Sequence, residues 1–74
     1  IQAGRKQVED INFIKSKNKF GELPDNLKLV AEIRLKNPEA SLAELVELLG
    51  NTISKSGVSH RLSAISKYAL DLRK

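Results

Sequence analysis

The 74-residue chain contains no cysteine, methionine or tryptophan, and its only aromatic residues are two phenylalanines and one tyrosine. Without cysteine it can form neither a disulfide framework nor a thiolate metal site, which fits a cytoplasmic protein. A single histidine, no glycine-rich phosphate loop and no cluster of carboxylates leave nothing to assemble a catalytic, metal or cofactor site, so we expect a protein that is not an enzyme. No apolar run approaches the roughly 18 residues that a membrane span requires.

The abundant residues favour helices. Leu, Ala, Glu and Lys dominate the sequence, and no alternation of β-branched residues indicates a sheet. A chain of this length suffices for one small domain in which every apolar face is needed for the core. We therefore predict a single all-α domain over 1–74, a small helical bundle of about four helices. Because the chain begins with Ile1 rather than methionine, we expect it to be a fragment of a longer protein.

Hydrophobic spacing and boundary residues predict the positions of these helices. The leading helix is indicated by residues spaced three or four apart: Ala3, Gln7, Ile11 and Ile14. Pro24 suits the first position of the second helix, and Pro38 ends that helix because the residue before a proline is pushed out of the α region. The predicted ranges are 1–22 for the leading helix and its connector, 24–37 for helix two, 41–50 for helix three and 54–73 for helix four.

Helix three has the clearest start and stop signals. Ser41 and Glu44 have the spacing of a capping box, in which each side chain accepts a hydrogen bond from the other residue's backbone N–H. Gly50 can end the helix in a left-handed conformation. The apolar stripe between them is expected to consist of Leu42, Leu45, Val46, Leu48 and Leu49.

Helices three and four have the lengths and spacing of a helix-turn-helix, with a turn that Asn51 and Thr52 lengthen, as in region 4 of sigma factors. In such a unit the second helix lies in the DNA major groove and the first crosses the backbone. Val58, Leu62 and Ile65 must face the core, so Lys55, Ser59 and Ser63 are expected to project elsewhere. Ser56 and His60 are expected to flank them, and Arg61 to lie nearer one edge of that surface. The residues expected to contact DNA are Ser54, Lys55, Ser56, Gly57, Ser59, His60, Arg61 and Ser63.

Hydroxyl groups and backbone N–H groups at a helix start are good phosphate contacts, and arginine can read guanine. Each residue type also has a simpler interpretation. Ser54 or Ser56 can serve only as a cap, Gly57 can only relieve crowding, and Arg61 can pair with a carboxylate or cover apolar surface. The basic residues of helix two are expected on a solvated face, with a backbone-supporting role as the alternative: Lys28, Arg34 and Lys36.

The charge is unevenly distributed along the chain. Residues 1–36 have a net charge of +3, residues 37–50 contain three glutamates and no base, and residues 51–74 have a net charge of +4. The basic ends favour an anionic partner such as DNA. The acidic middle cannot favour phosphate, so the alternative function is a protein-interaction module. Its partner would be RNA polymerase, a sigma factor or another domain of the same chain.

Four segments together resemble the C-terminal domain of the WhiA family of bacterial sporulation and cell-division transcription regulators. They are QVEDI at 7–11, LP at 23–24, RLKNPEASLAEL at 34–45 and ISKSGVSHRL at 53–62. The resemblance implies a DNA-binding helix-turn-helix, an N-terminal domain similar to LAGLIDADG homing endonucleases but without nuclease activity, and a nucleoid-associated location. The family's S-K-S-G-V-N-H-R-L element maps onto 54–62, where Ser59 replaces the usual asparagine. Ser63 and Ala64 stand where basic residues are common in the family, so DNA preference and affinity are expected to differ here.

Overall fold

In the computed structural model, the backbone is described from Gln2 to Lys74 and the side chains from Gly4 onward. The expected contribution of the Ala3 side chain to the core therefore lies outside the described residues. Within that range the chain forms four α-helices and one short 3₁₀-helix, which confirms the all-α bundle. The α-helices are α1 (Gln2–Ser16), α2 (Asp25–Lys36), α3 (Leu42–Leu48) and α4 (Lys55–Leu72), and the 3₁₀-helix is Phe20–Glu22. No helix in the described part of the chain combines the length and apolar composition needed to cross a membrane.

The longest helix, α4, forms the centre of the bundle and packs against the other three α-helices. Its residues Val58, Leu62, Ile65 and Ala69 are each at most 1% exposed, and their spacing of four, three and four places them in one stripe. The other helices contribute Ile11, Ile14, Val30, Ala31 and Leu45 to the same core. Because one side of α4 is fixed in the core, the opposite side faces outward.

Local hydrogen bonds set both ends of α3 as the sequence predicts. The Ser41 hydroxyl accepts from the Glu44 N–H at 3.2 Å, and the Glu44 carboxylate accepts from the Ser41 N–H at 2.8 Å. At the other end Gly50 has a φ of +78°, and its N–H donates to the Glu47 carbonyl at 3.0 Å. The Asn51 N–H donates to the Val46 carbonyl at 2.9 Å, which completes a Schellman motif and ends the helix.

Two predictions about burial are wrong. In both cases the sequence does not reveal which side of the helix faces the core. Leu48 was assigned to the apolar stripe of α3, yet it is 50% exposed because the core meets that short helix only on the side of Leu45. Arg34 was assigned to a solvated face, yet it is 4% exposed, since it follows Val30 and Ala31 by four and three residues and shares their side of α2.

Candidate nucleic-acid interface

The N-terminus of α4 is capped but still carries unpaired donors. The Ser54 hydroxyl accepts from the Gly57 N–H at 3.1 Å, and the Ser54 carbonyl accepts from the Val58 N–H at 3.0 Å. Ser54 is therefore the helix cap. The N–H groups of Lys55 and Ser56 belong to the first turn, where no helix carbonyl can accept from them. These donors and the positive end of the helix dipole together favour an anion at this end of α4.

The side of α4 that lies opposite the buried stripe is exposed and carries small polar and basic side chains. Its members are spaced by four, three and four residues, so they follow one line along the helix. They are Ser56, His60, Ser63 and Lys67, all exposed, and we call them the outer face of α4. Ser56 and His60, predicted to flank this surface, lie on its line. Lys67 is not among the contact residues predicted from the sequence, although it continues the spacing of this line. The first carboxylate in α4 comes only at Asp71.

Three other predicted contact residues flank the outer face. Lys55 is exposed in the first turn. Ser59 is exposed on the side toward α1 and borders a cavity of about 440 Å³ that Gly4 and Gln7 also line. Arg61 is half-buried at the opposite edge. The structure therefore brings the polar side chains of the predicted segment to one continuous surface, with Arg61 at its margin.

Gly57 does not belong to that surface. It is half-buried, and a Cβ atom at this position would lie 2.6 Å from Cγ2 of Ile53 and 3.4 Å from the Ser54 hydroxyl oxygen. A side chain here would therefore collide with the turn that precedes α4. Packing inside the helix-turn-helix accounts for this glycine, as the simpler interpretation of the sequence proposed.

The turn between α3 and α4 covers residues 49–54, which makes it longer than the three or four residues of a common helix-turn-helix. Asn51 adopts a φ of 59° directly after Gly50, so two successive residues have left-handed backbone. The Thr52 hydroxyl donates to the Leu49 carbonyl at 3.0 Å and fixes the middle of the turn. The added residues thus form an ordered connection.

The two helices of this unit differ in charge. The exposed residues of α3 include Glu44 and Glu47, whereas the exposed residues of α4 before Asp71 include Lys55 and Lys67. Phosphate groups would be repelled along the glutamates and attracted along the lysines. An approaching polyanion is therefore best accommodated along α4.

The family described as the WhiA C-terminal HTH domain matches residues 1–69. The probable cell division protein WhiA of Lactococcus lactis is 42% identical over the whole chain, which covers 24% of that protein. The proteins of the same description from Clostridium beijerinckii and Clostridium tetani are each 47% identical, over 99% and 100% of the chain and 23% of their own lengths. The chain thus spans about a quarter of the length of these relatives. No solved structure matches it. The chain belongs to the WhiA family, as its C-terminal helix-turn-helix domain.

Proposed function

We propose that this domain binds double-stranded DNA with sequence preference, as part of a bacterial transcriptional regulator. In this proposal α4 enters the major groove and α3 lies across it. The observation that carries the proposal is the outer face of α4, which has exposed polar and basic side chains, uncapped N–H groups at its start and no carboxylate before Asp71. Binding to chromosomal DNA would place the regulator on the nucleoid.

The residues of this surface divide into two chemical roles. Phosphate oxygens would accept from the N–H groups of the first turn and from the Ser56 hydroxyl, while Lys55 and Lys67 would supply positive charge. Ser59, His60 and Arg61 would contact base edges. The guanidinium of Arg61 can donate two hydrogen bonds to the two acceptors of guanine. Phosphate contacts supply affinity, and base contacts supply the sequence preference.

The phosphate role is tested by measuring affinity for a labelled duplex at several salt concentrations, using fluorescence anisotropy. Replacing Lys67 by alanine should weaken binding and make the slope of log K against log salt shallower by about 0.9, the value for one phosphate contact. Lys17→Ala is the matched control, since Lys17 lies beyond α1 with its ammonium 5.5 Å from the centre of the Phe13 ring. Equal slopes for both variants would contradict a phosphate contact at Lys67.

The base-reading role is tested by selecting preferred duplexes from a random pool. Asparagine can make a bidentate contact with adenine that serine cannot, so the Ser59→Asn variant should gain a preference for adenine at one position. Arg61→Ala should lose discrimination at a different position by about 1–3 kcal/mol. Identical selected sequences for the unaltered domain and both variants would remove these residues from base recognition.

A second candidate function is protein docking through α3. Leu48 is 50% exposed and lies beside Glu44 and Glu47, so this helix presents an apolar side chain within an acidic surface. Such a surface complements a basic one, on RNA polymerase, a sigma factor or the N-terminal LAGLIDADG-like domain that the family resemblance implies. Reversing Glu47 to lysine should weaken that contact without weakening DNA binding, because it leaves the capping box of Ser41 and Glu44 in place and removes a charge that repels phosphate. Unchanged partner binding by the reversed variant would exclude this face.

A further inference from the structure

Arg34, near the end of α2, is a charged residue in the interior. It is 4% exposed, and its guanidinium lies against residues 37–41, the α2–α3 connector. One nitrogen, Nη1, donates to the carbonyl oxygens of Asn37 and Pro38 at 3.3 Å each and to that of Ala40 at 2.8 Å. A single side chain therefore supports most of the carbonyl groups of this irregular segment.

These bonds fix the place where α3 begins. The carbonyl with the shortest distance to the guanidinium is that of Ala40, which immediately precedes the capping residue Ser41. Buried carbonyl groups outside regular structure need donors, and a charged donor makes stronger hydrogen bonds than a neutral one. Without Arg34, these carbonyl groups would have to accept from water, or the connector would have to adopt a different conformation.

The connector also contacts α1. A Cβ atom at Gly4 would collide with the carbonyl oxygen of Pro38, so the backbone of α1 lies directly on the connector. Gly4 and Pro38 also line the cavity that reaches Ser59 on α4. A Cβ atom at Gly4 would also lie 3.2 Å from Nη1 of Arg34, so α1, the connector and the guanidinium meet at one place. This place lies beside a residue of the proposed DNA surface.

Burial of this charge has a cost. Loss of hydration lowers the pKa of Arg34 from its ordinary value. Its Nε atom is buried and has no hydrogen-bond partner in the described part of the protein. An unpaired buried donor destabilises a fold, and buried charges are often replaceable by apolar residues without loss of stability. The conformation of the connector therefore explains the presence of a buried arginine at position 34 better than a gain in fold stability does.

We propose that Arg34 is a positioning residue for DNA binding. It holds the α2–α3 connector in one path, which sets α3 against α4 and defines the surroundings of Ser59. It touches no DNA itself. This inference rests on the proposed DNA binding. The effect of Arg34 on the path of the connector can be tested without DNA.

The test uses Arg34→Lys, which keeps the charge but lacks the planar fork. Lys36→Met is the control, as Lys36 is exposed on the same helix. Amide hydrogen exchange in residues 37–45 should rise about ten-fold in Arg34→Lys, as expected for one lost charge-assisted bond, while residues 58–69 keep their protection. Gly4→Ala, which places a methyl group against the Pro38 carbonyl and Nη1 of Arg34, should speed exchange in the same residues.

DNA affinity supplies the second readout. Arg34→Lys should bind a duplex about five- to ten-fold more weakly with an unchanged salt slope, because no phosphate contact is lost. A slope that becomes shallower would show direct phosphate contact and overturn the positioning role. Unchanged exchange in residues 37–45 would overturn the role of Arg34 in holding the connector. Absence of DNA binding by the unaltered domain would instead overturn the proposed function, so the two failures are distinguishable.

Discussion

The orientation of α4 can be tested by making the same substitution on its two sides. Leu62 is 1% exposed and Leu70 is 58% exposed, so one leucine of this helix lies in the core and the other at the surface. Leu62→Ala removes buried methyl groups and leaves a cavity in the core, at a cost of about 2–5 kcal/mol. A domain of this size has a total stability of roughly 4–11 kcal/mol, so much of it would be lost.

Urea unfolding followed by circular dichroism measures both variants under the same conditions. Leu70→Ala should change the free energy of unfolding by no more than about 0.5 kcal/mol, as expected for a surface site. The two substitutions have the same effect on helix propensity, so their difference reports burial alone. Equal losses in the free energy of unfolding, or a loss below about 1 kcal/mol for Leu62→Ala, would refute the assignment of which side of α4 is buried and which faces outward.

Three further substitutions can be followed by the same unfolding measurement. Ser54→Ala removes the cap of α4 and should cost about 1 kcal/mol; an unchanged midpoint would argue against the cap. Asp10→Ala should cost about 1–3 kcal/mol, because this 2%-exposed carboxylate pairs with Lys6 at 3.2 Å within α1 and with Arg73 at 3.4 Å just beyond α4; full stability would mean that both pairs are dispensable. Gly57→Ala should give none of the usual gain of about 1 kcal/mol, because the new methyl meets Ile53; clear stabilisation would contradict that crowding.

The parts of the fold that follow from local chemistry could be predicted from the sequence. The capping box of Ser41 and Glu44 and the left-handed Gly50 depend only on residues close in the chain, and both occur as expected. The stripe of α4 was predictable because Val58, Leu62 and Ile65 repeat with helical spacing over several turns.

The interior charges could not be predicted, because a charged side chain in an otherwise polar stretch is ordinarily solvated. Arg34 is buried where it donates to the carbonyl groups of an irregular connector, and such backbone acceptors carry no signal in the sequence. Asp10 pairs with Lys6 at helical i,i+4 spacing, but its second partner, Arg73, is 63 residues away and is not visible in a local pattern. The 3₁₀-helix Phe20–Glu22 was read as a connector, since three residues carry no periodic signal.

The candidate site was predictable in part. The spacing that buries Val58 and Leu62 predicts an outward surface of Lys55, Ser59 and Ser63 flanked by Ser56 and His60, and all five are exposed. In the structure Ser56 and His60 lie on the outer face with Ser63, and Lys55 and Ser59 flank it. The prediction stopped at residue 63 because it followed the polar segment rather than the helix line, which continues to Lys67. Which of these residues touches a base depends on the DNA and not on the chain alone.

An NMR titration can show whether the start and outer face of α4 bind DNA. The ¹⁵N-labelled domain would be titrated with an unrelated duplex at low and at physiological salt. Chemical-shift changes should concentrate between Ser54 and Lys67 and shrink as salt rises. No change at either salt, or changes confined to Leu42–Leu48, would contradict DNA binding by this surface.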